Sequence, residues 1–559
     1  MKSLILGMLC LISSSVFGMY VEINLNESNP RNPFSDPRPR LDVFRVIEKA
    51  ANDNKVQGII LNIGSVSADR AYLWELRNAL EKFKSSGKKI VAYFSYADID
   101  IYLLASVADK IIMDDLGTLS IMGYSVSRGY IKDALEKIGI GVRELRYFEY
   151  KSAGETFTRD SMSEADRRQY GDFLDDIFKL TCDTLKSARS WTDEEIDNII
   201  NNDFLYSARS ALSRNIVDFT GGRQAVFDTI NEIEGIEVNN FALYGNSASS
   251  LTNSRTVYSP PRAGVFFRRP PVIAVVHANG QTDMHSGIAA LNLSQIIREL
   301  AGKSRVKAIV VRINSPGGSA EAADSLSEAI RYAKERKPVV VSLGETAASG
   351  GYWAAINASH IMASPYTVTG SIGVIGSWFY DNGLNGRIGI NTDTLQRGAH
   401  ADLLTGIILP NRDLTDHEEE RYRNYIQDIY NIFVNKVAEG RRMDVERVEA
   451  AAQGRIFSGT RALEAGLIDS IGSFCDALRI ARELAKIPEN KAVRYDEYPK
   501  PGFLNMLIES FPVIAALFRN RNNNVSLIAD LLLPLTEIRY RLERNGKVMP
   551  LLPMDFVVR

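Results

Sequence analysis

Short apolar runs rich in β-branched residues alternate with amphipathic stretches along the middle of this chain. Four of these runs, at residues 59–63, 90–94, 309–313 and 339–341, have the length and composition of strands that are buried on both faces. Between the last two lies "ADSLSEAIRYAKERK", whose apolar positions recur as in an amphipathic helix. Strand, helix and strand at this spacing predict βαβ units, and therefore an α/β fold with mixed, largely parallel sheets and flanking helices.

The pattern occurs twice, because the chain resembles itself at an offset of 250 residues. "VQGIILNIGSVS" begins at Val56 and "VKAIVVRINSPG" begins at Val306, and the same offset brings Tyr102 opposite Tyr352. Farther along, "FLYSARSALSRNIVD" still matches "RIFSGTRALEAGLID" after the register has drifted by a residue or two. A shared offset over so many segments predicts two tandem copies of one domain.

The repeat divides the chain into five predicted parts. We predict a signal peptide or membrane anchor at 1–22, a first copy at 40–235, a linker at 236–270, a second copy at 271–490 and a tail at 491–559. The linker is polar and contains two adjacent prolines, a composition typical of a domain boundary.

The N-terminus has the composition of an export signal. "MKSLILGMLCLISSSVFGMYVEI" carries one cation, Lys2, then an apolar run from Leu4 to Ile12, then small residues that allow cleavage after Gly18. The apolar stretch to Val21 is also barely long enough to remain as a membrane anchor. A buried N-terminal strand or helix is the less favoured interpretation, and either favoured one exports the rest of the chain.

The composition of the chain argues against nucleic-acid binding and against a zinc-dependent hydrolase. The 559 residues are 45% hydrophobic and 24% charged, and a formal net charge of −2 gives no footprint for nucleic acid. The three cysteines have no metal-ligand spacing, and the five histidines form no HxxxH or HExxH pair, which argues against a zinc hydrolase. We expect no cofactor and no nucleic-acid partner.

The two copies differ at positions that carry reactive side chains. At the offset of 250, Ser349 in "ETAASGGYWAA" lies opposite Ile99, and Ser371 in "TVTGSIGVIG" lies opposite Ile121. In the other direction, Lys151 in "FEYKSAGE" lies opposite an alanine. Because a site need survive in only one copy, these differences predict one site that is assembled from both.

A serine and a lysine can act together as a nucleophile and its base. Serine attacks a carbonyl only when a base takes its proton, and no histidine here lies in a triad-like motif. Lysine is a base only as a neutral amine, which requires an apolar pocket that lowers its pKa. We therefore predict Ser349 as the nucleophile, Lys151 as the general base, and Ser371 as the hydroxyl that orients the amine.

Glycines near the serine fit the remaining requirement of acyl transfer. The attacked carbonyl oxygen becomes negatively charged, so backbone N–H groups must already point at it. Gly317 and Gly318 in "NSPGGS" let the backbone approach closely, and Gly350 follows the serine at a predicted helix N-terminus. These three glycines are the candidates for the oxyanion hole.

Four segments in this order resemble the signal peptide peptidase A (protease IV) family in its long, two-copy form: "YKSAGETFTRD", "RINSPGGSAEAADSL", "ETAASGGYWAA" and "TVTGSIGVIG". The resemblance covers nearly the whole chain. It implies two tandem repeats of the ClpP/crotonase type and a serine–lysine dyad, with the same roles for Ser349, Lys151, Ser371 and the three glycines.

The resemblance also implies a cellular setting. Such enzymes lie at the bacterial inner membrane with their catalytic bulk on the periplasmic side, and they degrade the apolar remnants of cleaved signal peptides. For this chain it implies peptide substrates, a membrane contact through the N-terminal segment, and a homotetramer. Whether the lysine reaches the serine of its own chain or of a neighbour stays open at this point.

Two alternatives from other classes remain. An acyl-CoA hydratase or isomerase uses the same type of repeat with carboxylate acid/base groups, for which Glu345 and Glu321 are the near candidates. The export signal argues against chemistry on coenzyme A. A catalytically inactive scaffold that binds peptides through its two halves is the other alternative.

Overall fold

The structure is a computed structural model, and the residues it describes form two compact units. It describes residues 18–25, 41–64, 69–244, 250–252, 256, 258 and 270–500, and the backbone of 557–558. Unit 1 comprises Met1–Ala68, Leu76–Gly123 and Cys182–Ala263, and unit 2 comprises Asp69–Glu75, Tyr124–Thr181 and Gly264–Arg559.

The four apolar runs singled out in the sequence, at 59–63, 90–94, 309–313 and 339–341, each lie within an observed strand. The strands are β1 (Met19–Asn24), β2 (Val56–Ile63), β3 (Lys89–Ala97), β4 (Lys110–Ser120), β5 (Val126–Ser127), β6 (Ile140–Leu145), β7 (Leu205–Ser207), β8 (Phe219–Thr220), β9 (Phe241–Tyr244), β10 (Val272–Asn279), β11 (Val306–Ser315), β12 (Val339–Ala348), β13 (His360–Ala363), β14 (Val368–Gly370), β15 (Gly376–Asp381), β16 (Ile456–Ser458), β17 (Ser470–Ile471), β18 (Arg494–Tyr498) and β19 (Val557–Val558).

The helices lie mainly between consecutive strands. They are α1 (Leu41–Ala51), α2 (Arg70–Lys84), α3 (Ile99–Ala105), α4 (Lys132–Ile138), α5 (Glu155–Thr158), α6 (Glu164–Arg189), α7 (Asp193–Asp197), α8 (Ala208–Ser213), α9 (Arg223–Glu234), α10 (Ala290–Gly302), α11 (Ala320–Lys334), α12 (Gly350–Ala355), α13 (Leu384–Arg387), α14 (Asp416–Arg441), α15 (Val445–Ala451), α16 (Gly459–Glu464) and α17 (Phe474–Leu484).

Unit 1 is built on one sheet in the order β7-β4-β3-β2-β1-β9, with β8 beside β4. Its pairs are parallel except β4 with β7. The central strands are apolar on both faces, so Ile59, Ile60 and Val91 are fully buried. This burial is expected of a parallel sheet with helices packed against it.

Unit 2 repeats this topology. Its sheet has the order β16-β14-β12-β11-β10-β18, and β13 pairs with β12 and β17. The pairs are parallel except β14 with β16. A separate antiparallel pair joins β6 to β15. The predicted α/β class with mixed, largely parallel sheets and flanking helices is therefore confirmed.

Equivalent side-chain hydrogen bonds occur at corresponding positions of the two units. The Tyr102 hydroxyl donates to the carbonyl of Ile216 at 2.7 Å, and the Tyr352 hydroxyl donates to the carbonyl of Leu467 at 2.7 Å. Helices α2 and α11 begin and end exactly 250 residues apart. The self-similarity of the sequence thus reflects a repeated scaffold.

The predicted linker and the predicted tail each contribute an edge strand to a sheet. The last residues of the predicted export segment also lie in a strand. Strand β9 lies in the predicted linker and pairs with β1, and β18 lies in the predicted tail and pairs with β10. Residues 1–17 lie outside the described residues, whereas Tyr20 and Val21 are fully buried in β1. Within the described ranges, no helix is long and apolar enough to cross a membrane.

Candidate active site

Ser349 occupies a strained turn between β12 and α12. Its φ of 55° and ψ of −118° lie where residues with a Cβ rarely occur, and such strain persists only when neighbouring contacts impose it. Here the Ser349 N–H donates to the carbonyl of Gly370 at 2.8 Å, and the N–H of Trp353 donates to the Ser349 carbonyl at 2.8 Å. The side chain caps no helical N–H and is therefore free to face another partner.

That partner is Lys151 of the same chain. The Lys151 Nζ lies 2.8 Å from the Ser349 Oγ, 2.9 Å from the carbonyl oxygen of Ser371 and 3.0 Å from the Ser371 Oγ. All three side chains are at most 1% exposed. Ser371 also has a positive φ, 51°, and its N–H donates to the carbonyl of Arg455 at 2.7 Å. The structure therefore brings the predicted serine, lysine and second serine together within unit 2.

Burial sets the charge of this amine. Desolvation lowers the pKa of Lys151 well below its ordinary value, because a buried ammonium loses its hydration. A neutral amine has two N–H donors and one lone pair. The Ser371 carbonyl accepts one N–H and the Ser371 hydroxyl can accept the other, which leaves the lone pair for the Ser349 O–H. This arrangement suits proton transfer from the serine to the lysine.

Two glycines enclose the aliphatic stem of the lysine. A Cβ on Gly454 would lie 2.5 Å from the Cβ of Lys151, and one on Gly373 would lie 3.3 Å from its Cδ and 2.9 Å from the Cα of Gly454. Gly454 also has a φ of 82°, which favours glycine. Side chains at these positions would displace the lysine.

A buried ion pair holds the segment that carries Lys151. Arg128 and Asp166 are joined at 2.8 Å, with side chains only 2% and 0% exposed. Arg128 donates to the carbonyl of Ser152 at 2.6 Å, and the Ser152 hydroxyl donates to Asp166. Gln169 donates to the carbonyl of Tyr150 at 3.1 Å. Both neighbours of the lysine are thereby fixed, although the sequence analysis singled out none of these residues.

The predicted oxyanion glycines divide into two groups. The Gly317 N–H donates to the Ser315 hydroxyl at 3.2 Å, so this donor is already engaged. Within the described part of the chain, the N–H groups of Gly318 and Gly350 have no acceptor. The nitrogen of Gly318 lies 3.3 Å from the position that a Cβ on Gly350 would take. The structure therefore brings Gly318 close to Gly350, the residue that follows Ser349.

The carboxylates considered for acyl-CoA chemistry lie in other settings. Glu345 accepts a hydrogen bond from the N–H of Ala71 at 2.7 Å. Glu321 is exposed in the first turn of α11. A third carboxylate, that of Glu155 near Lys151, is fully buried and pairs with Arg146 at 2.7 Å.

Comparison with known proteins identifies the family. The model of peptidase family S49 matches the chain twice, at residues 82–237 and 331–488, which confirms the prediction of two tandem repeats. The chain is 32% identical over 463 residues to serine protease SPPA, chloroplastic, of Arabidopsis thaliana, covering 81% of this chain and 67% of the relative.

Two bacterial proteins are also similar to this chain in sequence, and one solved structure matches part of it. The chain is 30% identical to Protease 4 of Haemophilus influenzae over 468 residues, covering 81% of this chain and 74% of that protein. It is 34% identical to the putative signal peptide peptidase SppA of Enterococcus faecium over 200 residues, which cover 36% of this chain and 57% of that protein. The solved 1510-N membrane-bound stomatin-specific protease covers 43% of this chain and 96% of its own, at 17% identity and a TM-score of 0.28. By the two family matches and the similarity over most of its length, the chain belongs to peptidase family S49 and is a serine protease.

Proposed function

We propose that this protease is a serine–lysine endopeptidase in which Ser349 is the nucleophile, Lys151 is the general base and Ser371 positions the lysine. One observation carries the proposal: the Nζ of a fully buried lysine lies 2.8 Å from the hydroxyl of a strained serine. A base must lie within hydrogen-bonding reach of the proton it removes, and its pKa must suit the working pH. The geometry and the lowered pKa of Lys151 support both conditions.

In acylation, the Ser349 Oγ attacks the carbonyl carbon of the peptide while its proton moves to the Nζ of Lys151. The π electrons move to the carbonyl oxygen, which accepts hydrogen bonds from the N–H groups of Gly318 and Gly350. When the intermediate collapses, the C–N bond breaks and the Lys151 ammonium gives its proton to the departing amine. The acyl group stays on Ser349 as an ester, and the lysine is neutral again.

In deacylation, a water molecule replaces the departed amine. Lys151 takes a proton from this water as its oxygen attacks the ester carbon. The C–Oγ bond then breaks, and the proton on Lys151 returns to Ser349. Ser371 keeps the amine aimed at the reacting oxygen in both halves of the reaction.

For substrate and location, we propose signal-peptide remnants and similar apolar peptides cleaved at the bacterial inner membrane. The motif resemblance and the relative named as a putative signal peptide peptidase support this substrate class. The apolar N-terminal segment before strand β1 would hold the protein at the membrane, with its bulk on the periplasmic side. The family resemblance further supports a homotetramer.

The test compares full-length wild-type protein with Ser349→Ala and Lys151→Ala. A synthetic signal peptide is the substrate, and mass spectrometry detects internal cleavage. We expect each variant to lose at least about 10³-fold in kcat, because nucleophile and base act as one unit. A fluorophosphonate probe should label wild type at Ser349.

Two matched controls remove a buried serine and a lysine elsewhere. Ser327→Ala removes a buried hydroxyl that accepts from Asn357, and Lys84→Ala removes an amine that donates to the carbonyl of Val107. Both should keep wild-type rates. Wild-type cleavage by Ser349→Ala or Lys151→Ala would exclude the dyad.

A further inference from the structure

Thr282 has a buried hydroxyl whose hydrogen-bonding capacity is unused. The residue lies between β10 and α10, is 1% exposed, and its Oγ1 has no hydrogen-bond partner among the described residues. Its backbone is fixed, because its N–H donates to the carbonyl of Gly317 at 2.8 Å and its carbonyl accepts from the N–H of Ser319 at 2.7 Å. Buried hydroxyls are normally paired, and leaving one unpaired costs about 1–3 kcal/mol.

The hydroxyl lies beside the two free N–H groups of the site. Its Oγ1 is 2.6 Å from the position that a Cβ on Gly350 would take, and the nitrogen of Gly318 is 3.3 Å from the same position. The Oγ1 is also 2.7 Å from the position of a Cβ on Gly318. The hydroxyl and the Gly318 nitrogen therefore both lie close to Gly350, the residue that follows Ser349.

We propose that the Thr282 hydroxyl is a third donor of the oxyanion hole, an inference that rests on the proposed function. When the Ser349 Oγ bonds to the substrate carbon, the π electron pair moves to the carbonyl oxygen. The Thr282 O–H donates a hydrogen bond to that oxygen, together with Gly318 and Gly350, and no proton is transferred. When the intermediate collapses, the electron pair reforms the C=O bond and this hydrogen bond weakens.

An oxyanion donor must be free of other acceptors before the substrate binds, and the Thr282 hydroxyl meets this requirement. A donor that already has a protein acceptor must break that bond before it can stabilise the transition state. A donor held without one is preorganised, and the cost of its burial is met when the protein folds. The backbone bonds to Gly317 and Ser319 keep Thr282 in place.

A role in packing alone predicts the opposite response to substitution. Thr282→Val keeps the shape and removes the hydroxyl, whereas Thr282→Ser keeps the hydroxyl and removes the methyl group. If Thr282 only fills space, valine is tolerated and serine leaves a small cavity. If Thr282 is a donor, serine is tolerated and valine is impaired.

The experiment measures kcat and KM of full-length wild type, Thr282→Val and Thr282→Ser on the synthetic signal peptide, and Ki for a peptide aldehyde. The aldehyde adds to Ser349 and places its oxyanion in the hole. We expect Thr282→Val to lower kcat about 10²-fold or more with little change in KM, as for loss of one oxyanion donor. Its Ki should rise by a similar factor, and Thr282→Ser should stay within about threefold of wild type.

Two further variants separate the possible failures. Thr229→Val, at a buried threonine of unit 1, is the control for the substitution itself and should keep wild-type kinetics. If Thr282→Val keeps wild-type kcat and Ki while Ser349→Ala is inactive, Thr282 is no donor and the proposed function stands. If Thr282→Ser is impaired as strongly as Thr282→Val, packing explains the residue and the inference falls. If Ser349→Ala is fully active, the proposed function and this inference fall together.

Discussion

The two units contain the same strand-to-helix junction in two different conformations. In unit 1, Asp98 precedes α3 with an extended backbone, and its carboxylate accepts from the N–H of Ile101 at 2.9 Å. In unit 2, Ser349 precedes α12 with a φ of 55°, and its side chain caps nothing. The unit 1 junction follows the ordinary rules of helix capping, and the unit 2 junction does not.

The difference shows which part of the repeat is scaffold and which part is site. Within the two short helices, the hydroxyls of Tyr102 and Tyr352 each donate to a backbone carbonyl at 2.7 Å, so this part of the framework is alike in both units. At this junction the positive φ belongs to Ser349, whose hydroxyl faces Lys151. Departures from local rules are expected at functional sites, and unit 1 shows what the fold adopts without one.

Among changes that compare the two junctions, the largest effect should come from adding a side chain at Gly350. In Gly350→Ala, the new Cβ would lie 2.6 Å from the Thr282 Oγ1 and 3.3 Å from the nitrogen of Gly318. We expect kcat on the signal peptide to fall about 10²–10³-fold, the range for loss of one oxyanion donor. Asp100→Ala, at the matching place in unit 1, should leave kcat unchanged. Equal rates for the two variants would mean that the space beside Gly350 is not used in the reaction.

The pH dependence of stability should identify the buried amine. The pKa of Lys151 in the folded protein lies well below the ordinary 10.5, so between these two pKa values the unfolded chain binds a proton that the native protein does not. The free energy of unfolding of wild type should therefore rise with pH across that window, by up to about 1.4 kcal/mol per pH unit, and be lowest below it.

Lys151→Met tests this dependence. The variant loses hydrogen bonds to Ser371 as well as the titrating group, so the slope against pH, and not the absolute stability, is the quantity to compare. Urea unfolding of both proteins between about pH 6 and pH 10 gives the two slopes. Parallel slopes would show that Lys151 stays protonated in the native protein.

A smaller effect should distinguish the capped junction from the uncapped one. Asp98→Ala removes an N-cap and should destabilise α3 by about 1 kcal/mol. Hydrogen exchange at the Ile101 amide should then become about fivefold faster, since exchange follows local opening. Ser349→Ala removes no cap and should change exchange in α12 less. A larger change in α12 than in α3 would contradict the contrast between the junctions.

The smallest difference in unfolding free energy is expected between substitutions at equivalent scaffold positions of the two units. Tyr102→Phe and Tyr352→Phe each remove one buried hydrogen bond to a backbone carbonyl, worth about 0.5–1.5 kcal/mol. We expect losses of unfolding free energy that agree within about 0.5 kcal/mol, measured by urea denaturation. Clearly unequal losses would show that the two scaffolds are not energetically equivalent.

Most of the framework could be predicted from the sequence because it depends on local pattern. The four apolar runs lie in central strands, and the amphipathic pattern "ADSLSEAIRYAKERK" overlaps α11. Residue type and motif also point to Ser349, Lys151 and Ser371, and the Lys151 amine lies within hydrogen-bonding distance of both serines. Periodicity within a repeat could not, however, assign residues 124–181 to the same compact unit as the second copy.

The supporting residues could not be predicted because their contacts join distant parts of the chain. Gly454 lies against Lys151, and the N–H of Ile456 donates to Gln169 at 3.2 Å. Nothing in the local sequence around Arg128 or Asp166 indicates that this pair holds the lysine segment. An isolated glycine outside a motif usually indicates only a turn, so the sequence around Gly454 does not predict its contact with Lys151.

The packing of Gly454 and Gly373 against Lys151 has a consequence for the stage of synthesis at which the lysine can become buried. Ribosomes synthesise Lys151 198 residues before Ser349, and Gly454 later still. A nascent chain that carries Lys151 and Ser349 but has not yet been extended to Gly454 therefore lacks a residue that packs against the lysine. An amine exposed to water keeps its proton, so under the proposed mechanism the growing polypeptide has no general base until the segment around Gly454 has been made.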